Sequence, residues 1–103
     1  MYKVEILPKA VSDMNEAVSY IVRELESPQA AETLAVNLNA AIEELAEYPY
    51  ARPAYIPIRP LRHEYRRVIV GNHAVFYWVD EATSTVTVAR VIYARRDLIR
   101  HLR

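Results

Sequence analysis

The segment YRRVIVGNHAVFYWVD, residues 65–80, carries the strongest structural signal in the chain. Two runs of β-branched and aromatic residues flank Gly71-Asn72, a pattern typical of two strands joined by a two-residue turn. We therefore predict an antiparallel hairpin of strands 65–70 and 73–80, in which Val70 lies opposite His73. The hairpin also predicts which side chains share a sheet face, because directly opposed residues point the same way.

Two amphipathic helices are predicted upstream of this hairpin. Apolar residues recur every three or four positions from Lys9 to about Glu26 and again from Pro28 to about Tyr48. Ser27-Pro28 between them is typical of an N-cap followed by proline at the first helical position. A connection this short favours an antiparallel helix hairpin. The expected core-facing residues are Val11, Val18, Ile21, Leu34, Leu38, Ile42 and Leu45.

The remaining segments complete a β-α-α-β-β-β order. Residues 2–7 alternate apolar and charged side chains, which predicts a strand that Pro8 ends, and residues 85–93 follow a turn as the last strand. Residues 49–60 contain four prolines and are predicted to form an extended loop, whereas residues 94–103 have the pattern of a short helix. We predict one α+β domain over residues 1–103, with the helix hairpin on one face of an antiparallel sheet.

One sheet face is left without an obvious cover. The helices cover one face of the sheet, yet the hairpin register places apolar residues on both. The second face carries Arg67, Ile69, Ala74, Phe76 and Trp78. An exposed apolar patch of this kind favours a partner surface, while the alternative is that the proline-rich loop or the tail folds over it.

Charge is divided unevenly along the chain. Residues 1–50 carry three basic and nine acidic side chains, and residues 51–103 carry ten arginines and four acidic side chains. Arginine suits carboxylate and phosphate groups, so the second half is predicted to bind something anionic. The absence of cysteine and of any long apolar run favours a cytoplasmic protein that does not associate with membranes.

The second half of the chain also contains candidate catalytic residues. Glu64 with Arg66, Arg67, Arg95 and Arg96 supplies the residue types that phosphodiester cleavage requires, but we favour the alternative that these arginines are solvated or paired with Asp97 and Glu64. The three histidines lack metal-ligand spacing and lie among arginines, and no nucleotide-binding or hydrolase motif is present. We therefore expect neither a metal nor a cofactor.

Several segments, in their order and spacing, resemble the ParE/RelE superfamily of type II toxins. The matching segments cover nearly the whole chain: SPQAA at 27–31, AIEEL at 41–45 followed by Pro49, YRRVIVGN at 65–72, VFY at 75–77 and VIYARRD at 91–97. The resemblance implies a helix hairpin packed on a sheet whose first strand lies beside the last. It also implies a toxin that is neutralised by a cognate antitoxin in a hetero-oligomer.

The superfamily divides by mechanism. RelE-like members cut mRNA in the ribosome, whereas ParE-like members poison DNA gyrase without being nucleases. The cutting branch usually has an arginine just after the hairpin turn, where this chain has Ala74, and many ParE-like members have histidine where it has Tyr93. The missing arginine, the neutral net charge and the long helix hairpin favour the ParE-like branch.

Three hypotheses follow. The first is a non-enzymatic gyrase inhibitor; the second is a ribosome-dependent mRNA endonuclease; the third is a degenerate toxin that only binds its antitoxin. The partner-binding residues expected on the uncovered face and in the tail are Arg67, Ile69, Ala74, Phe76, Trp78, Arg95 and Arg96. The catalytic candidates of the second hypothesis are Glu64, Arg67, His73, Arg95 and Arg96.

Overall fold

The computed structural model describes residues 1–55 and 61–93. The predicted element order is confirmed within these residues, and the fold class is α+β. The elements are β1 (Lys3–Ile6), α1 (Pro8–Glu24), α2 (Pro28–Leu45), β2 (Arg66–Val70), β3 (His73–Asp80) and β4 (Thr85–Tyr93). The expected tail helix and the expected contributions of Arg95 and Arg96 lie outside the described residues. Within these ranges, no helix is long and apolar enough to cross a bilayer.

The two helices begin at prolines. Pro8, which the sequence predicts to end the first strand, is the first residue of α1, and Pro28 is the first residue of α2. The Ser27 hydroxyl accepts a hydrogen bond from the Ala30 amide at 3.3 Å, which confirms the predicted N-cap. The helices contact each other as a hairpin, and α2 ends at Leu45, earlier than the predicted Tyr48.

The sheet is mixed rather than wholly antiparallel. The strand order is β1-β4-β3-β2, so β1 lies beside β4 as the resemblance implies, but the two strands run parallel. The chain passes from β1 through the helix hairpin instead of a tight turn, and such a crossover permits a parallel neighbour. The other two strand pairs are antiparallel.

The predicted register of the hairpin is confirmed. Val70 pairs with His73 and Val68 with Val75 across β2 and β3. Gly71 has φ +59°, the left-handed region that glycine enters without strain, and this allows the two-residue turn. The pairing of β3 with β4 shifts register between Phe76 and Tyr77, a β-bulge that the sequence did not indicate.

The main core lies between the helices and the sheet. Leu38, Ile42 and Leu45 of α2 pack with apolar residues of all three C-terminal strands, as predicted. The prediction that Val11 belongs to this core is wrong, because its side chain is 42% exposed. The neighbouring Ala10 is fully buried instead, and the other two predicted residues of α1 are half-buried, so the buried stripe of this helix begins one residue earlier than predicted.

Candidate functional site

The outer face of the sheet, defined by Arg67, Ile69, Ala74, Phe76 and Trp78, lies away from the helices. Its centre is covered by the strap, the segment 49–65 of which residues 49–55 and 61–65 are described. Tyr55 and Leu61 of the strap pack on a buried cluster that includes Phe76 and Ala74. The expectation that Phe76 is exposed is therefore wrong: it is 0% exposed, and the Tyr55 ring meets it edge to face at 5.5 Å.

The strap also forms an aromatic cluster at Trp78. The His63 ring stacks on the indole with 3.8 Å between ring centroids, and Tyr65 meets the indole edge to face at 5.6 Å. Burial raises the pKa of the Tyr65 hydroxyl. Trp78 is half-buried as a result, so only part of its indole is accessible on the outer face.

The end of the outer face at β2 is open. Ile69 is 53% exposed, and Arg67 is exposed with its guanidinium 5.3 Å from the centre of the Tyr55 ring. A cleft of about 560 Å³ lies here, between the strap and β2. Its lining residues are Arg52, Pro53, Ala54, Tyr55, Arg67 and Ile69. Two arginines beside an exposed isoleucine make this cleft suitable for an anionic and partly apolar ligand.

Arg66, the neighbour of Arg67, points to the other face and is held in place. Its guanidinium donates to the Arg52 carbonyl at 2.6 Å and to Glu64 Oε1 at 3.2 Å, and it lies 4.8 Å above the Tyr50 ring. Arg66 thus anchors the start of the strap. The Glu64 carboxylate therefore binds Arg66, whose side chain points away from the cleft.

The endonuclease candidates are separated by the sheet. Val70 and His73 are directly opposed, so His73 lies on the same face as Val70, whereas Arg67 lies on the outer face. His73 contacts the Tyr93 ring edge to face at 5.7 Å. The described residues therefore do not bring Arg67, His73 and Glu64 together at one site. Ala74, at the place where the cutting branch has arginine, is 0% exposed.

Comparison with protein families identifies the chain. The sequence model of the ParE toxin of type II toxin-antitoxin systems, parDE, matches residues 4–98. The chain belongs to the ParE toxin family. It is a type II toxin of the ParE/RelE superfamily. Among curated protein sequences, none matches this toxin significantly.

Solved toxin structures share the fold. A chromosomal ParDE system from P. aeruginosa has 15% sequence identity, a TM-score of 0.73, and alignment over 92% of this toxin and 98% of that chain. The intact RelBE complex of E. coli has 15% identity and a TM-score of 0.61 over 93% and 100%. The RelBE2 complex of Mycobacterium tuberculosis has 20% identity and a TM-score of 0.59 over 89% and 96%.

Two polar contacts of the toxin were not predicted from the sequence. Glu81 accepts hydrogen bonds from the hydroxyls of Tyr2, at 2.7 Å, and Tyr50. Asp13 of α1 forms a two-pronged ion pair with Arg90 of β4, at 2.7 and 2.9 Å. The partners are 31 to 79 residues apart, and no local pattern links positions so distant.

Proposed function

We propose that this toxin inhibits DNA gyrase without cutting nucleic acid and that a cognate antitoxin neutralises it. The observation that carries the proposal is the separation of Arg67 and His73 by the sheet, together with the burial of Ala74. The family match to ParE toxins over residues 4–98 supports the same branch.

Cleavage of RNA needs three groups at one phosphate. A base must take the proton of the attacking hydroxyl, an acid must donate a proton to the leaving oxygen, and fixed positive charge must stabilise the phosphate. Loss of one such stabilising group typically costs about 3 kcal/mol in the transition state. Ala74 is buried and carries no charge, and Glu64 is bound to Arg66. The described residues therefore favour a toxin that acts by binding its target and not by cleaving RNA.

The antitoxin is the second part of the proposal. The outer face keeps an open end with Arg67 and Ile69, and the stacked rings of His63 and Trp78 are half-buried farther along the face. Arginine and aromatic side chains are the residue types that dominate binding energy at protein interfaces. Neighbours of the fold were solved as toxin-antitoxin complexes in E. coli and Mycobacterium tuberculosis, which supports a protein partner here.

One experiment with two readouts tests the target. Purified toxin is added to a gyrase supercoiling reaction and, separately, to translating ribosomes that carry a defined mRNA. We expect loss of supercoiling with intact mRNA, and recovery of supercoiling when the antitoxin is added. The matched variant is Arg67→Ala. Among the described residues, Arg67 is the one catalytic candidate of the endonuclease hypothesis that places a positive charge on the outer face.

The outcomes separate the three hypotheses. Codon-specific cuts that disappear in Arg67→Ala would replace the gyrase proposal with the endonuclease. Full supercoiling and intact mRNA, with tight antitoxin binding, would identify a degenerate toxin instead.

A further inference from the structure

Helix α1 carries an apolar line that the core does not cover, the α1 ridge, defined by Val11, Val18, Val22 and Leu25. Val11, Val22 and Leu25 are 42%, 43% and 59% exposed, and Val18 is half-buried. Leu25 follows the last helical residue directly and keeps a helical backbone, so it continues the line. Residues spaced by seven, four and three positions lie on one side of a helix, and an exposed apolar surface of this kind marks an interaction site.

The ridge runs toward the end of the helix hairpin that lies beyond the core. Among the described residues, the two buried clusters contain no residue of α1 after Met14 and no residue of α2 before Leu34. The ends of the helices that Ser27 connects therefore pack on each other rather than on the sheet. A second molecule can reach the ridge from this end without covering the outer face.

The spacing of the ridge is the same in both directions. Val18 lies seven residues after Val11 and seven residues before Leu25. If two copies of α1 lie antiparallel with a two-fold axis at Val18, Val11 of each copy meets Leu25 of the other. Such a contact uses one surface twice, as two-fold dimers do, so the partner that the ridge fits is a second copy of itself.

Charge favours the antiparallel order. The first turn of α1 carries Lys9 and no acidic side chain, whereas the other end carries Glu24 and Glu26 against Arg23. An antiparallel pair places the basic end beside the acidic end and opposes the helix dipoles, while a parallel pair would join like ends. The residues that border the middle of the ridge are uncharged: Ser12, Asn15 and Ser19.

We propose that two copies of the toxin associate through the α1 ridge, antiparallel and with Val18 at the two-fold axis. The inference goes beyond the proposed function and depends on neither gyrase nor an antitoxin. From Val11 to Leu25 the ridge is about 21 Å long at a rise of 1.5 Å per residue. A contact between two single helices of this length belongs to the small class of protein interfaces, so the dimer forms reversibly as the concentration rises.

Sedimentation velocity of the free toxin over a wide range of concentrations measures this association. We expect the sedimentation coefficient to rise with concentration from that of a monomer toward that of a dimer. Val22→Glu places an unpaired charge in the contact and should weaken the dimer about tenfold or more. Val36→Glu makes the same change on α2, where Val36 is 58% exposed, and should leave the association unchanged. The thermal midpoint of each variant shows whether it folds.

Thiol cross-linking tests the antiparallel order. The chain contains no cysteine, so each introduced cysteine reports on one position alone. A short bis-maleimide should link Val18→Cys into a covalent dimer. It should not link Val11→Cys alone, because the two copies of residue 11 lie about 21 Å apart along the helices. A mixture of Val11→Cys and Leu25→Cys should be linked, since these positions meet across the axis.

Each outcome bears on the inference. A toxin that stays monomeric at every concentration and gives no cross-linked dimer would overturn it and leave the proposed function intact. A dimer that forms equally well in Val22→Glu, without linkage at Val18→Cys, would assign the association to another surface and also overturn it. Efficient linkage of Val11→Cys alone would show a parallel pair and overturn the antiparallel order.

Discussion

Glu81 joins two distant parts of the chain through a pair of tyrosines. It accepts hydrogen bonds from the hydroxyls of Tyr2 and Tyr50, whose rings meet edge to face at 6.4 Å. The hydrogen bond to Glu81 is the main reason that the pKa of Tyr50 is raised to about 12. In return, the hydroxyls of Tyr50 and Tyr2 lower the pKa of Glu81.

This arrangement predicts how stability depends on pH. The lowered pKa means that Glu81 stabilises the fold above its ordinary value of 4.5 and ceases to do so as the pH falls through its folded value. The raised pKa of Tyr50 means that its contribution is present below 10.0 and is lost as the pH rises toward 12. We expect the difference in unfolding free energy between wild type and Glu81→Gln to be largest between pH 4.5 and pH 10.0.

Two measurements check the Glu81 prediction. Urea melts across the pH range give the stability difference, and ultraviolet titration of the phenolates gives the pKa of Tyr50. In Glu81→Gln that pKa should fall toward its ordinary value, and Tyr50→Phe identifies the signal. A Tyr50 titration that is the same in wild type and Glu81→Gln would contradict the prediction.

Asp13 ties the helix layer to the sheet. One carboxylate oxygen accepts from both Arg90 Nε, at 2.7 Å, and the Val91 amide, at 2.9 Å, and the other accepts from a second guanidinium nitrogen. Both side chains are largely buried, and the hydrogen bond to Asp13 is the first cause of the raised pKa of Arg90.

Removal of this carboxylate should be costly. Asp13→Ala removes the two-pronged carboxylate partner of the partly buried guanidinium and the acceptor of the Val91 amide, so we expect a loss of about 3 kcal/mol in unfolding free energy. Asp13→Asn keeps one acceptor and should lose less. Chemical denaturation measures both variants, and a loss well under about 1 kcal/mol for Asp13→Ala would contradict this assignment.

At the scale of the elements, helix α2 supplies the main anchor of the core. Leu38 is 2% exposed, and its cluster includes Val75 and Tyr77, both fully buried. Leu38→Ala should lower the unfolding free energy by about 2–5 kcal/mol, as large-to-small changes in packed cores do. Val11→Ala on the exposed side of α1 is the control and should cost far less. Equal losses in the two denaturant melts would mean that Leu38 is not a core residue.

The elements differ in how far sequence alone predicts them. The turn at Gly71-Asn72 determines the hairpin register, and the register determines the two faces, so these predictions are confirmed residue by residue. The phase of α1 is harder, because Ala10 and Val11 both fit an apolar stripe and only packing against β4 chooses between them. The strap has no periodicity at all, and its cover over Phe76 depends on contacts between distant residues.

The same limit applies to the candidate site. The register correctly places Arg67 and Ile69 on the outer face, and both are exposed there. It cannot reveal that Tyr55 would bury Phe76 while leaving Ile69 open, since the strap carries no hairpin signal to fix its path. Whether these residues bind a partner stays a prediction, as does the role assigned to Arg95 and Arg96, which lie outside the described residues.

At the scale of the whole molecule, the division of charge along the sequence becomes a division in space. Of the five arginines of residues 51–103 that the structure describes, four lie on the strap or on β2, namely Arg52, Arg62, Arg66 and Arg67. Arg90 is paired with Asp13. The acidic side chains of residues 1–50 lie mostly on the two helices, whereas Arg67 projects from β2 onto the face opposite the helices.

An acidic antitoxin should therefore be steered toward this end of the molecule. Steering acts on the association rate and is screened by salt, so the association rate constant should fall about tenfold or more between roughly 0.05 and 0.5 M salt. The dissociation rate should change much less, because it reflects short-range contacts. Stopped-flow mixing of toxin and antitoxin at several salt concentrations measures both rates.

Arg52→Glu should reduce the association rate and flatten its salt dependence, whereas Arg23→Glu makes the same charge change in the helix layer and should have a smaller effect. Equal effects of the two variants would mean that net charge, rather than the arginine-rich end, governs the encounter.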